Sequence, residues 1–331
     1  MLNRIISEIE TGLRQHRDRW AVRFTPFWHY RRRENNVFSL ASTLFILQEL
    51  EPHLPDTTEI ARLIRKEYPR YRNKDGRPTY NFYTTRPSGH FPNGLLMRHL
   101  DHFRLPDDID DTALITLTLR LPVEEVAALR TLTETFAEDL PGGRRVYATW
   151  YGKNMPKEQD VCALLNLLYL FTAYGLPPTR TDLHTFDFLL EKAGHILAQP
   201  FEIARHYASP ALILYHYCRF LSRFPSPLDT LRPTLTQTIE KVLQTEKVPM
   251  NRLILESSLL KLGHSRPPLD LAHLNPSGFH TFIGAPFAPF SPAWMQRWAA
   301  RPAYQIFWHS ELHEKALLAE YLVLSRLNSE K

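Results

Sequence analysis

The chain has 331 residues, of which 44% are hydrophobic and 23% are charged, as in an ordinary globular protein. Its net charge of +5 is small and no long basic run occurs, which argues against a nucleic-acid partner. No stretch of about eighteen apolar residues occurs, so no transmembrane helix is expected. Residues 1–10 carry carboxylates within their apolar pattern, unlike a signal peptide, and two cysteines make no disulfide framework. We therefore expect a cytoplasmic protein.

Six apolar segments with few charges recur along the chain, and each is long enough for a buried helix. Most of them follow a polar or acidic residue of the kind that caps a helix N-terminus. The excess of 26 prolines over 12 glycines also favours helices joined by stiff loops. The six segments span residues 38–47, 112–119, 161–170, 211–217, 253–260 and 316–324.

More highly charged helices alternate with these segments, and their apolar residues recur at three- and four-residue spacing. They are predicted at residues 2–17, 57–68, 123–138, 182–197 and 230–243, with a weaker candidate at 293–300. This alternation is an internal repeat. It predicts an all-α protein, a single (α/α)6 toroid domain over residues 1–331, in which six inner helices surround a cavity and six outer helices cover them. The inner N-termini would then meet at one mouth, where we expect the ligand site.

A run of four aspartates, Asp107, Asp108, Asp110 and Asp111, comes just before the second apolar helix. Like charges this close repel one another, so at least one carboxyl should have a raised pKa. A helix N-terminus partly relieves this cost, because its free N–H groups and its dipole favour negative charge. The run is therefore either a strong helix cap or a carboxyl group suited to acid catalysis.

Residues 108–113, Asp-Ile-Asp-Asp-Thr-Ala, resemble the D-x-D-D-T-A motif of squalene–hopene cyclases and class II diterpene cyclases. Those enzymes use (α/α) barrel domains and place the active site between two of them, whereas this chain is about one barrel long. The resemblance implies that Asp110 is a general acid that protonates an isoprenoid alkene or epoxide and starts carbocation cyclisation. Asp108 and Asp111 would tune and position it. No cofactor or metal is predicted.

Aromatic and polar residues near the predicted helix starts are candidates for substrate contact, since aromatic faces stabilise a cation without reacting with it. The candidates are Asn36, Phe82, Tyr83, Trp150, Tyr151, Asp160, Asn166, Tyr207 and Trp308. Two aromatic strips, residues 80–86 and 146–152, look like equivalents one repeat apart. They either form substrate walls or seal the rim between hairpins.

Three further patterns leave alternatives open. Asp160 and Cys162 have the D-x-C spacing of the zinc site in protein prenyltransferase β subunits, but they also suit a helix cap and core packing. A third ligand would be one of His206, His216, His309 and His313. The Pro-rich segment 282–292 either plugs the barrel or forms an entrance in peripheral contact with a membrane.

The second candidate function is a non-catalytic or carbohydrate-active (α/α)6 barrel that binds an apolar or sugar ligand. The aspartates would then serve as a helix cap. In a glycosidase, Asp110 together with Glu158 or Asp160 would supply the required pair of carboxyl groups. Fold alone does not choose between these functions.

Overall fold

A computed structural model describes residues 1–15, 19–25, 30–86, 105–152, 158–271, 274–285 and 298–330. All six predicted apolar segments are helical, and a helix covers most of each of the first five amphipathic ones. The predicted helix 123–138 ends at Glu134, and Glu138 lies in a strand. The weaker candidate at 293–300 lies mostly outside the described residues. The helices are α1 (Leu2–Gln15), α2 (Val37–Glu49), α3 (Thr58–Arg65), α4 (Ile109–Leu119), α5 (Val123–Glu134), α6 (Val161–Ala173), α7 (Arg180–Ala193), α8 (Pro200–Ile203), α9 (Pro210–Leu221), α10 (Arg232–Thr245), α11 (Pro249–Lys261) and α12 (Glu311–Ser329).

The six apolar helices pack against one another in sequence order. Helix α2 contacts α4, α4 contacts α6, α6 contacts α9, α9 contacts α11, α11 contacts α12, and α12 contacts α2 again. Each is apolar on several sides because it is covered on several sides, as in α6, where every residue from Val161 to Phe171 is buried. The amphipathic helices lie against them with one face: α1 on α12, α3 on α2, α5 and α7 on α6, and α10 on α9 and α11.

Side-chain caps fix where three of the inner helices begin. Asn36, Asp108 and Asp160 each accept a hydrogen bond from a backbone N–H in the first turn of α2, α4 and α6, at 2.9, 2.7 and 2.9 Å. Backbone contacts connect the three starts: Tyr80 bridges to Asp108, Asp108 bridges to Trp150, and the Val37 N–H of α2 donates to the Phe82 carbonyl at 3.1 Å. The N-terminal ends of α2, α4 and α6 therefore lie side by side at one end of the molecule.

The prediction of a purely α-helical chain is wrong, because the described residues also form two antiparallel sheets. Four strands pair in the order β2-β1-β6-β5, and β3 pairs with β4. The first sheet joins segments almost 290 residues apart, so no local periodicity reveals it. The strands are β1 (Ala21–Thr25), β2 (Tyr30–Glu34), β3 (Glu138–Leu140), β4 (Arg144–Val146), β5 (Phe282–Gly284) and β6 (Ile306–His309).

The four-stranded sheet lies at the N-terminal end of the inner helices, because β2 leads into α2 and β6 leads into α12. A buried ion pair holds its strands together: Arg23 Nη1 lies 3.0 Å from Glu34 Oε2, and both side chains are almost fully buried. Glu34 also accepts a hydrogen bond from the Trp308 indole at 2.5 Å, which ties β2 to β6. Among the described residues, no helix is long and apolar enough to cross a membrane.

Candidate active site

A narrow cavity opens where the N-terminal ends of α2, α4 and α6 meet β5. Its empty volume, with the mouth included, is about 370 Å³. Carboxyl groups and aromatic rings dominate its wall. The lining residues are Phe38, Phe82, Leu105, Asp108, Asp110, Asp111, Thr149, Trp150, Asp160, Ala163, His206, Tyr207 and Phe282. The structure thus brings together seven of the candidates: Asp108, Asp110, Asp111, Phe82, Trp150, Asp160 and Tyr207.

Asp110 is held between two hydrogen-bond donors from other parts of the chain. The Asn166 side-chain amide on α6 donates to one carboxyl oxygen, and the Tyr207 hydroxyl, just before α9, donates to the other. Burial raises the pKa of Asp110, while these two donors and the positive charge of Arg219 oppose the rise. The carboxyl therefore holds its proton longer than a free aspartic acid does, and its anion is stabilised once the proton leaves. This is the arrangement that a general acid needs.

Asp108 and Asp111 occupy different positions in the same turn. Asp108 caps α4 by accepting from the Asp111 backbone N–H at 2.7 Å. The Asp111 carboxyl is 1% exposed, and within the described chain neither of its oxygens has a hydrogen-bond partner. Burial, followed by repulsion from neighbouring aspartates, raises the pKa of both carboxyls. Helix capping accounts for the position of the Asp108 carboxyl. It does not account for the Asp111 carboxyl, which is buried in the cavity wall and caps nothing.

Asp107, the first aspartate of the run, has a structural role and is not among the residues lining the cavity. It accepts from the Asn73 amide at 2.5 Å, from the Thr79 hydroxyl at 2.6 Å and from the Asn81 amide at 3.3 Å. These bonds attach the strip before α4 to the start of the helix. Of the four neighbouring carboxyls, Asp107 thus anchors the strip and the other three line the cavity, where Asp108 is also the helix cap.

A buried arginine lies on the inner side of Asp110. The Arg219 guanidinium on α9 donates to the Asn166 side-chain oxygen, and it lies 4.9 Å from the Phe45 ring and 5.5 Å from the Tyr215 ring. It lines a second, very narrow cavity that shares Phe38 and Tyr207 with the first. Arg219 therefore orients Asn166 and brings positive charge close to Asp110.

The mouth of the cavity holds a histidine–glutamate pair. His206 Nε2 lies 2.7 Å from Glu158 Oε1, which also accepts from the Trp150 indole at 2.6 Å, and Arg205 binds the other oxygen at 3.0 Å. Burial opposes charge on the imidazole, but Glu158 and Asp160 outweigh it and raise the pKa of His206 to about 9. The ring is therefore positively charged at neutral pH. Burial in turn raises the pKa of Asp160 to about 6.

Aromatic rings form a continuous wall beside these groups. Phe282 on β5 stacks on His206 with ring centroids 5.4 Å apart, and on Phe82 with centroids 5.0 Å apart. Phe38 meets Tyr207 edge to face at 5.9 Å. The electron-rich faces of such rings can stabilise a positively charged intermediate. The Pro-rich segment 282–292 begins as strand β5, which contains Phe282. Residues 286–292 of that segment lie outside the described part of the chain.

The remaining candidates lie elsewhere. The Tyr83 hydroxyl and the Trp308 indole both donate to Glu34 in the sheet, at 3.1 and 2.5 Å. The Tyr151 hydroxyl bonds to Thr133 on α5 at 2.9 Å. Asn36 caps α2, and Asn166 lines the second cavity rather than the first.

Sequence reasoning did not pick out two neighbours of Asp110 and its cavity, Phe38 and Arg219, and it named His206 and Glu158 only separately, as a zinc ligand and as a second carboxyl group. A charged residue inside the apolar helix 210–221 was a usable signal for Arg219, because a buried guanidinium needs a polar partner. The pairing of His206 with Glu158 joins residues 48 positions apart and has no local signal.

The D-x-C pair does not gather further ligands. Asp160 Oδ1 accepts from the Cys162 and Ala163 N–H groups at 2.9 and 3.3 Å, and Oδ2 accepts from the His206 N–H at 2.9 Å. Cys162 is fully buried. Across the described ranges, no group of three or more His, Cys, Asp or Glu side chains is arranged to hold a metal ion. A helix cap and core packing account for these two residues.

Comparison with known proteins found no relative of this chain. No protein-family model matches the chain, and no curated protein or solved structure is significantly similar to it.

Proposed function

We propose that this protein is a class II terpene cyclase-like enzyme in which Asp110 protonates an isoprenoid and so initiates cyclisation. One observation carries the proposal: a buried carboxyl with a raised pKa lies in an aromatic cavity, with two donors placed on its oxygens. We also infer that the cyclic packing of the inner helices, with the amphipathic helices outside, is an (α/α)6 toroid.

The proton would move from Asp110 to a carbon atom of an alkene, or to the oxygen atom of an epoxide. In the alkene case the π electrons form the new C–H bond, and the second carbon of the double bond becomes a carbocation. In the epoxide case the oxygen takes the proton, one ring C–O bond breaks with its electron pair going to that oxygen, and the released carbon becomes the carbocation. The negative charge left on Asp110 would be stabilised by Asn166 and Tyr207, which are in place before the reaction. The rings of Phe38, Phe82 and other wall residues would stabilise the migrating cation.

The cavity supports this function better than a glycosidase. Glu158 is engaged by the Trp150 indole, His206 and Arg205. Asp160, the other proposed partner of Asp110, caps α6 and accepts from the His206 N–H, so both carboxyl groups are committed to contacts within the protein. The cavity is also narrow, with five aromatic side chains in its wall, whereas a sugar chain requires an open groove.

The test is incubation of the protein with a panel of linear isoprenoids and analysis of the extracted products. Asp110→Asn should lower product formation about 100- to 10,000-fold, the usual contribution of a general acid. Asp107→Asn is the matched control, because this neighbouring carboxyl is not among the cavity-lining residues; its product formation should stay within a few-fold of wild type. Unchanged cyclisation by Asp110→Asn would rule out the proposed acid. Absence of product with every substrate would favour the non-catalytic barrel.

A further inference from the structure

His206 lines the cavity and has an unused ring nitrogen. Its Nε2 is taken by Glu158 at 2.7 Å, and its backbone N–H is taken by Asp160 at 2.9 Å. Its Nδ1 is buried, and among the described residues it has no hydrogen-bond partner. The ring belongs to the cavity wall that also contains Asp110 and Tyr207. A buried polar atom without a protein partner is costly, and a bound ligand would relieve that cost.

The ring cannot turn to find a partner of its own. Phe282 stacks on one face with an interplanar angle of 10°, and Trp150 meets the ring edge to face at 5.2 Å. The bond to Glu158 fixes the remaining rotation. Because Glu158 and Asp160 raise the pKa of the imidazole to about 9, Nδ1 carries a hydrogen at neutral pH. It is therefore a fixed donor, and it requires an acceptor.

The surrounding charges restrict what that acceptor is. Among the described residues, the cavity lining contains no lysine or arginine, and the charge of His206 is already balanced by Glu158. The nearby Arg205 is also paired with Glu158, at 3.0 Å. A diphosphate or a carboxylate would therefore be buried there without a free counter-charge, at a high electrostatic cost. A neutral oxygen atom would accept the hydrogen bond without that cost.

We propose that His206 Nδ1–H binds a neutral oxygen atom of the substrate, such as an epoxide, hydroxyl or carbonyl oxygen. The substrate is then an oxygen-bearing isoprenoid without a diphosphate, bound with that oxygen at the mouth. This inference rests on the proposed function for the isoprenoid chain, whereas the oxygen contact rests on His206 alone. It makes His206 a residue that determines substrate specificity.

The test measures binding to the Asp110→Asn protein, so that no turnover intervenes. Farnesene, farnesol and farnesyl diphosphate share a chain and differ only at its end, and their C20 counterparts repeat the series. Dissociation constants come from quenching of tryptophan fluorescence, with calorimetry as a second measurement. We expect the alcohol to bind about tenfold more tightly than both the hydrocarbon and the diphosphate.

The matched variant is His206→Phe in the same background, which keeps a flat ring against Phe282 but removes the donor. It should bind alcohol and hydrocarbon with equal affinity. A second measurement does not depend on that variant: the ¹⁵N resonance of His206 Nδ1 in histidine-labelled protein should shift with farnesol and not with farnesene. Tightest binding of the diphosphate, an unchanged preference in His206→Phe, an unmoved resonance, or failure of all probes to bind would overturn the inference.

The two proposals fail separately. If cyclisation depends on Asp110 but the preference for an oxygen atom does not depend on His206, only the oxygen contact is wrong. If His206 controls binding but Asp110→Asn still cyclises, only the catalytic assignment is wrong.

Discussion

Asn166 on α6 donates its side-chain amide to the carboxyl of Asp110 on α4, and its oxygen accepts from Arg219 on α9. Because a guanidinium only donates, the amide oxygen must face Arg219 and the amide nitrogen must face Asp110. One side chain thus fixes the geometry of the candidate acid and links three inner helices.

Replacing Asn166 should therefore weaken the fold as well as the acid. In Asn166→Leu, Asp110 loses a donor and the buried guanidinium loses its acceptor, which should lower the free energy of unfolding by about 2–3 kcal/mol. Urea denaturation, monitored by circular dichroism, measures this free energy. Ser258→Ala is the control, since its hydroxyl bonds to a carbonyl of its own helix at 2.6 Å; it should cost less than about 1 kcal/mol. Equal costs would contradict the proposed role of Asn166.

The Arg23–Glu34 pair should matter far more than an exposed ion pair. Glu34→Leu leaves Arg23 buried without its counter-charge and removes the acceptor of the Trp308 indole, so we expect a loss of about 3–5 kcal/mol. Glu8→Leu removes a partner of Arg4 at the surface and should cost less than about 1 kcal/mol. Thermal unfolding of the two variants and of the wild type measures these losses of stability. A small effect of Glu34→Leu would show that the sheet does not depend on this pair.

Asp160 should act mainly as a cap. Asp160→Ala removes the acceptor of two N–H groups at the start of α6 and of the His206 N–H, which should cost about 1–2 kcal/mol. Asp160→Asn keeps an acceptor oxygen for the α6 cap and should cost clearly less. Thr179→Ala, which removes the capping box of α7, is the control at a helix away from the cavity. Urea denaturation gives the free energy of unfolding of all three variants. An equal loss of stability in Asp160→Asn and Asp160→Ala would argue against a capping role.

The aspartate cluster should make stability fall as the pH rises. Burial and repulsion by Asp110 raise the pKa of Asp108 in the folded state, whereas in the unfolded chain it ionises near pH 4. Above about pH 4 the folded state then binds more protons than the unfolded state, so the free energy of unfolding decreases until the folded pKa is passed.

The variant Asp108→Asn isolates this effect, because Asn retains the capping oxygen but does not titrate. Relative to wild type, it should gain stability between pH 4.5 and pH 7.5, measured by urea denaturation in one buffer series. His206 titrates in both proteins, so its contribution cancels in the difference. A constant difference across this range would mean that Asp108 ionises normally in the folded protein.

The helices of this protein could be predicted from sequence because their causes are local. An apolar segment such as 161–170 is covered on every side, and the cap of Asp160 lies directly before it. The same holds for the assignment of Asp110 to the start of an inner helix, since its neighbours in sequence are also its neighbours in the first turn.

The four-stranded sheet and the surroundings of the acid depend on distant parts of the chain. Strand β1 pairs with β6 across most of the sequence, and each strand is too short to show a periodicity of its own. The partners of Asp110 come from residues 56 and 97 positions away. Sequence by itself thus determined the inner helices and the carboxyl cluster. Only the tertiary structure decided which carboxyl is held by donors, which one caps the helix, and that His206 faces the cavity. The physical reason is that hydrogen bonds and burial depend on distances in space, whereas helix capping and amphipathicity depend on distances along the chain.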